Sequence, residues 1–273
     1  MKEKLYFFAN MTKPNAGNVL ERAVLAGVQN GFDCRVFERS DELYACAAHD
    51  EPKCIVTIGG DGTILRTVAN QLNGSSNVSI PILGIDLGKV GFFNEVSIDS
   101  FPNALIRLKN GDYSIETKTT LNCCVHNREH YTYTCLNDFL VFKNSFSSVT
   151  HIGASIDGAD IGIVRADGIV ISSTAGSTGY SISAGGPLVA PNLDVILLTP
   201  ICPHSLTLRP IVASFDSTIK VRVLSECFLS GDGIQLMTLP TETELSICKS
   251  NKTVRFIRLG ERNVFTLIRE KLA

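Results

Sequence analysis

The chain has 273 residues, 44% of them hydrophobic and 19% charged, which excludes a disordered or fibrous protein and allows one large or two medium domains. Its net charge of −2, from 25 basic and 27 acidic residues with no long run of either sign, offers no basic face, so nucleic acid is not expected as a partner. The apolar run at residues 5–9 is too short for a signal-peptide core and no stretch nears the ~18 apolar residues of a membrane span, so a cytoplasmic protein without a membrane partner is expected.

In chain order, residues 5–9 read as a buried strand, 18–30 as a helix, and 33–38 and 53–58 as strands. Residues 63–72 carry Ile64, Leu65, Val68 and Leu72 at helical spacing, and 81–85 return to strand. This alternation predicts a parallel sheet covered by helices, a Rossmann- or flavodoxin-like α/β domain over residues 1–108. From about residue 112 the pattern turns to short strands: 131–136, 139–142, 154–156, 161–164, 169–172, 195–198, 218–224, 244–248 and 253–259. Asp157-Gly158 and Asp167-Gly168 read as turns. Residues 109–258 are therefore expected to form an all-β, sandwich-like domain. Residues 262–272 place Val264, Phe265, Ile268 and Leu272 on one helical face, and segment 259–273 is expected to return as a helix to the first domain. The nine cysteines include no C-x-x-C pair, and Cys123 and Cys124 cannot share a strand face, so reduced thiols are expected rather than a metal centre or a disulfide framework.

Two stretches carry chemistry. The first is Ile58-Gly59-Gly60-Asp61-Gly62-Thr63, a buried strand ending in a glycine turn that opens a helix. Glycines let the backbone approach a phosphate, and free N–H groups at the helix start supply donors. It is neither the G-x-G-x-x-G dinucleotide fingerprint nor a P-loop with its Lys. A carboxylate beside phosphate is costly without a task, and two tasks fit Asp61: accepting from a hydroxyl nucleophile, or helping to hold a divalent cation that bridges phosphates. Arg66, one turn on, is placed to reach a phosphate or ribose. The plain alternative is a turn that merely caps the helix.

The second stretch runs from Arg165 through Asp167, Thr178, Gly179, Tyr180 and Ser183 to Pro187, dense in hydroxyls and glycines after an apolar strand. Such a surface can line a polar ligand, with the Tyr180 ring adding an apolar face. A flexible Ser/Gly linker is the plain alternative, although the intervening Tyr180, Ile182 and Pro187 break the linker pattern. Gly176-Ser177 does not complete the G-x-S-x-G elbow of a serine hydrolase.

Together these residues resemble the NAD kinase family. Gly59-Gly60-Asp61-Gly62 matches its G-G-D-G signature, Leu136-Asn137-Asp138 is similar to its L-N-E segment, and the block from Asp167 to Pro187 is similar to its long hydroxyl-rich motif. Residues 84–92 and 198–210 are similar to further family segments, so the likeness runs in order from about residue 54 to 260. The resemblance implies transfer of the terminal phosphate of ATP, or of another phosphate donor such as polyphosphate, to the 2′-hydroxyl of the adenosine ribose of NAD, with a divalent cation, Mg2+ being the expected one. It implies Asp61 as proton acceptor, Gly62 and Arg66 near the nucleotide, and Asn137 and Asp138 on the adenosine. It further implies His151, Arg165, Asp167, Thr178, Gly179, Tyr180 and Ser183 around NAD, and a homodimer or homotetramer built on the second domain. Asp138 stands where the family has Glu, Asp86 where Asn is common, Thr174-Ala175 for Pro-Thr, Gly179 for Ala, and Ile234 where Gln often follows Asp232-Gly233.

Two other readings stay open on the residues. A lipid kinase shares G-G-D-G but gives no account of residues 174–187. A non-catalytic dinucleotide-binding regulator would keep the pocket without needing Asp61.

Overall fold

The computed structural model describes residues 2–74, 78–88, 91–126, 130–145, 149–205, 207–260 and 264–272. Residues 89 and 90 of the glycine-containing segment, Leu206, and residues 262 and 263 of the expected final helix lie outside these. The chain divides into a unit of residues 1–118 with 253–273 and a unit of residues 119–252.

In the first unit, strands β1 (Lys4–Ala9), β2 (Asp33–Phe37), β3 (Cys54–Ile58) and β4 (Ile82–Ile85) alternate with helices α1 (Ala16–Gln29), α2 (Ser40–Asp50), α3 (Asp61–Asn73) and α4 (Phe101–Asn110). The four strands are parallel in the order β2-β1-β3-β4. Strand alternation decides which helix each side chain meets. Leu5 and Phe7 of β1 pack with Val19 and Ala23 of α1 and with Leu105 and Leu108 of α4. Tyr6 and Ile55 face the other way, onto Leu43, Tyr44 and Ala47 of α2. With β2 on one side of β1 and β3 on the other, the chain reverses its direction of travel at β1. Open α/β sheets bind ligands outside the carboxyl ends of the strands at such a point.

The second unit is built on antiparallel strands β5 (Ser114–His126), β6 (Tyr131–Cys135), β7 (Asp138–Lys143), β8 (Thr150–Ile156), β9 (Ala159–Ala166) and β10 (Gly168–Ser173). After a 3-10 turn at Ala175–Thr178 and the one-turn helix α5 (Tyr180–Ser183) come β11 (Val195–Ile201), β12 (Ile211–Ser214), β13 (Ile219–Val223), β14 (Cys227–Gly231), β15 (Ile234–Leu239) and β16 (Glu244–Arg258); residues 114–118 of β5 and 253–258 of β16, Arg258 among them, belong to the first unit. A six-stranded sheet in the order β12-β11-β10-β7-β14-β15 shares one apolar core with β5, β8, β9, β13 and β16, which is the expected sandwich. The core draws on Phe139 and Val141 from one sheet and on Ile152, Val221 and Ile247 from the other.

Several expectations need correction. Residues 244–248 and 253–259 are not two strands; the polar stretch 249–252 stays extended, so that β16 runs unbroken for 15 residues. Asp167-Gly168 is not a hairpin turn: Asp167 alone links β9, paired with β8, to β10 in the six-stranded sheet. Helices α2 and α4 were not expected. The final helix is present as α6 (Val264–Leu272) and groups with the first unit. No helix among the described residues is long and apolar enough to cross a membrane, and all nine cysteines are free thiols.

Candidate active site

In the first unit the glycine turn closes β3 and opens α3. Gly59 sits at φ 154°, and a Cβ there would lie 2.2 Å from Thr63 Oγ1, so only glycine makes this corner. No side chain caps α3, and its Thr63 N–H turns back to the Gly60 carbonyl at 2.9 Å; the start of a helix carries the N–H dipoles that favour an anion. Asp61 is the first residue of the helix. Its carboxylate accepts from two backbone amides thirty residues away, Phe92 N–H at 2.9 Å on Oδ2 and Phe93 N–H at 3.0 Å on Oδ1. The close approach is possible because Gly91 has no side chain: a Cβ there would stand 2.0 Å from Asp61 Oδ1. Asn94 completes the corner, its Nδ2 donating to the Gly59 carbonyl at 3.0 Å. Arg66, exposed on the same helix, makes no ion pair among the described residues.

The turn that grips Asp61 is itself held from β16. Arg258 is 5% exposed and donates to the Phe93 carbonyl at 3.1 Å, to Glu95 at 3.0 Å and to Glu116 at 2.7 Å. Glu95 also accepts from Leu259 N–H at 2.8 Å. Burial pushes the Glu116 carboxyl upward, but Arg258 and Lys118 outweigh it and hold the group below its ordinary value.

In the second unit the structure brings Asn137, Asp138, Thr178, Gly179 and Tyr180 together. Asn137 lies in the turn between β6 and β7, and Asp138 begins β7. Ser173 grips this turn, donating its hydroxyl to the Leu136 carbonyl at 2.6 Å and its N–H to the Asn137 carbonyl at 2.8 Å. Asp232 grips it from the other side: its carboxylate accepts from the N–H groups of Leu136 at 2.8 Å, Asn137 at 2.7 Å and Asp138 at 3.3 Å. Tyr180 N–H donates to the Asp138 carboxylate, while the Tyr180 ring remains 44% exposed. Asn137 Oδ1 is buried with no hydrogen-bond partner. The Thr178 hydroxyl is spent on the Ala175 carbonyl at 3.1 Å, and Ser183 is exposed at the end of α5.

Burial first, and then the neighbouring Asp232, push the Asp138 carboxyl up to about 7. Burial pushes Asp232 up to about 6, against the pull of its three amides. Two acids so placed disfavour joint ionisation near neutral pH.

The remaining expected residues stand apart from this cluster in their bonding. His151 on β8 pairs across the ladder with Arg165 on β9, and the His151 side chain makes no hydrogen bond or ion pair among the described residues. Arg165 is exposed, and Asp167 forms an ion pair with Lys143 at 2.6 Å. Sequence reasoning missed three supports: Gly91 with its following amides, the Asp232 carboxylate, and Arg258. The first two lay in segments already singled out, residues 84–92 and the Asp232-Gly233 turn. Arg258 left no local signal.

The family pattern of the ATP-NAD kinase N-terminal domain matches residues 28–113, and that of the ATP-NAD kinase C-terminal domain matches residues 136–259. The chain is 37% identical over 260 residues to an NAD kinase of Gemmatimonas aurantiaca, spanning 93% of this chain and 89% of that one. It is 40% identical over 222 residues to an NAD kinase of Moorella thermoacetica, spanning 80% and 70%. This chain belongs to the NAD kinase family.

Solved structures share the fold of this chain. An NAD kinase from Archaeoglobus fulgidus in complex with ATP superposes with a TM-score of 0.81 at 26% identity, covering 97% of this chain and 98% of that one. Yeast NADH kinase complexed with NADH has the same fold, with a TM-score of 0.88 at 21% identity, covering 99% and 87%. Two departures from the NAD kinase pattern touch each other. A Cβ on Gly179, where the family has Ala, would stand 3.3 Å from Asp138 Oδ2 and 3.3 Å from Asn137 Nδ2. A third departure, Asp86, accepts from Gly88 N–H at 2.8 Å.

Proposed function

We propose that this chain, a phosphotransferase of the NAD kinase family, moves the terminal phosphate of ATP onto the 2′-hydroxyl of the adenosine ribose of NAD and makes NADP. The observation that carries the reading is the Asp61 carboxylate, held by two amides at the open start of α3, where helix N–H groups favour phosphate. The ribose 2′ oxygen bonds to the γ-phosphorus, the bond to the β–γ bridging oxygen breaks, and its electron pair leaves with ADP. The hydroxyl proton passes to Asp61. A carboxylate is a weak base for an alcohol, but phosphoryl transfer has a loose transition state in which aiming the oxygen matters more than basicity.

Asn137 and Asp138 hold the adenosine, the unpartnered Asn137 Oδ1 accepting from the ligand's N–H groups. Tyr180 adds its exposed ring, and Thr178, Gly179, Ser183, Arg165, Asp167 and His151 complete the surroundings of the dinucleotide, with Gly62 and Arg66 on phosphate or ribose. Among the described residues no group of three or more His, Cys, Asp or Glu could hold a metal ion. A resident metal cage does not fit these residues, so the divalent cation enters on the donor's phosphate oxygens as part of that substrate. We place the protein in the cytoplasm, consistent with its free thiols. A homodimer or homotetramer forms through the second domain, where Ile163 is 61% exposed on β9. Residues 1–108, 109–258 and 259–273 serve as nucleotide domain, dinucleotide domain and returning helix.

The test is Asp61→Asn. An amide offers one acceptor oxygen to the two N–H groups and cannot take a proton at neutral pH. The variant is expected to bind NAD as wild type does while turnover falls about 10²–10⁴-fold. Turnover within threefold of wild type would remove Asp61 from the chemistry.

A further inference from the structure

The second unit carries two half-buried thiols on neighbouring strands, Cys124 of β5 and Cys248 of β16. The Thr120 hydroxyl donates to the Lys252 carbonyl at 2.6 Å, and His126 Nε2 meets Ser246 Oγ at 2.9 Å. Residue numbers therefore rise along β5 as they fall along β16, so the strands are antiparallel and Cys124 comes opposite Cys248. Alternation puts both on the outer face with His126 and Ser246, while Cys123, Val125 and Ile247 turn into the core. Opposite residues of an antiparallel pair have Cα atoms about 4.5–5.5 Å apart, inside the range of about 4.4–6.8 Å that a disulfide spans.

The remaining thiols are placed differently. Cys34 packs against the α1 cluster and Cys46 against the α2 cluster, on opposite faces of the first sheet. Cys202 is exposed beyond β11, and Cys54, Cys123, Cys135 and Cys227 are buried. In the reduced chain the Cys124 sulfur accepts from Asn122 Nδ2 at 3.5 Å and lies 3.9 Å from Thr132 Oγ1 on β6. Contacts this weak are given up when χ1 turns to a neighbouring well. Burial, and then the charge of Cys124, raise the Cys248 thiol above its ordinary value. Cys248 stays protonated near neutral pH, which leaves Cys124 to meet an oxidant first.

We propose that Cys124 and Cys248 are an oxidant-responsive dithiol, which a peroxide closes into a cross-strand disulfide and a small-molecule thiol reopens. The Cys124 sulfur, having lost its proton, bonds to one peroxide oxygen; the O–O bond breaks, and the departing hydroxide takes up that proton as water. The Cys248 sulfur then bonds to the Cys124 sulfur, the S–O bond breaks, and a second hydroxide leaves as water with the Cys248 proton. Two thiols lose two electrons, and the peroxide is reduced to two waters. Two equivalents of the small thiol reverse the bond by exchange and leave as their own disulfide. A transient disulfide of this kind is compatible with a reducing compartment. Ile163, named above for contact between copies, lies three strands away across β13 and β8. The proposal does not depend on the reaction catalysed.

The experiment exposes intact, reduced protein to hydrogen peroxide, blocks remaining thiols with N-ethylmaleimide, digests it without reductant and maps it by tandem mass spectrometry. The expected result is a peptide pair joined through Cys124 and Cys248, lighter by two hydrogens and separated by dithiothreitol. Oxidised protein should melt about 5–10 °C above reduced protein, because the link closes a long loop of the unfolded chain. Cys124→Ser and Cys248→Ser should each lack the joined peptides and the rise in Tm, with reduced forms melting within about 2 °C of reduced wild type. Recovery of both thiols with N-ethylmaleimide, oxidation of either alone to sulfinic acid, or a link made instead to Cys123 or to a second copy would overturn the proposal. The wild-type map decides this even if a serine variant fails to fold.

Discussion

Gly91→Ala tests whether the fixed pose of Asp61 matters. The new Cβ would lie 2.0 Å from Asp61 Oδ1, 2.7 Å from its Cγ and 3.0 Å from Asn94 Nδ2. Ordinary contact between a carbon and another heavy atom needs ~3.5 Å, so the carboxylate must retreat by more than about 1 Å. Gly91 is not among the positive-φ positions, so alanine adds no backbone strain there and the effect falls on the carboxylate. Retreat breaks the bonds from Phe92 and Phe93, worth about 1–3 kcal/mol to stability. A displacement of ~1 Å from reacting geometry costs about 10²-fold in rate, or ~2.7 kcal/mol of barrier. Steady-state NADP formation, followed with a coupled dehydrogenase, should show kcat down about a hundredfold and KM for NAD within threefold. The circular dichroism spectrum should be unchanged. Near-normal kcat in a folded variant would refute the idea that two remote amides aim the catalytic carboxylate.

Other outcomes follow from the supports. Asp232→Ala leaves three amides of the Leu136–Asp138 turn without their acceptor and should weaken NAD binding at least tenfold by calorimetric titration, whereas Asp232→Asn, keeping one carbonyl oxygen, should lose less. Because Asp138 and Asp232 are raised in the folded protein, the folded state holds more protons than the unfolded one above the ordinary carboxylate value. Their contribution to stability is present below about pH 4 and is lost as pH rises through about 6 to 7. Asp138→Asn should therefore flatten the decline of Tm between about pH 4.5 and 7.5, and an unaltered slope would contradict the pairing. Arg258→Ala takes the buried cation from Glu95 and leaves Glu116 to Lys118 alone, and should cost about 3–5 kcal/mol in urea melts, with kcat falling as the Phe92–Phe93 turn loosens.

The first domain was legible where periodicity was strong. Strand β3 is a continuous apolar run, and α3 repeats Ile64, Val68 and Leu72 on one face. Helix α2 escaped because only Leu43, Tyr44 and Ala47 of its eleven residues are buried, and they do not stand out among its small and charged neighbours. Strand β16 was divided because Lys249, Ser250, Asn251 and Lys252 carry turn-like composition, yet the strand runs through them unbroken, with the Thr120 hydroxyl on β5 donating to the Lys252 carbonyl at 2.6 Å. At the site, the glycine context announced Asp61, whereas Asn137 and Asp138 were pointed to only by the resemblance of Leu136-Asn137-Asp138 to a segment of the family. Their supports come from far along the chain: Phe93 and Arg258 are 165 residues apart, and Asn137 and Asp232 are 95 apart. No window of sequence encloses either pair, so only the fold reveals what aims the acids.

The most direct measurement is phosphorus NMR of the product formed by purified wild-type protein from ATP, Mg2+ and NAD. A single new phosphomonoester on the 2′ oxygen of the adenosine ribose, appearing with one ADP per NADP, is the predicted result. Phosphate carried instead to a lipid alcohol or to another ribose oxygen, or NAD left unchanged with every phosphate donor supplied, would contradict it.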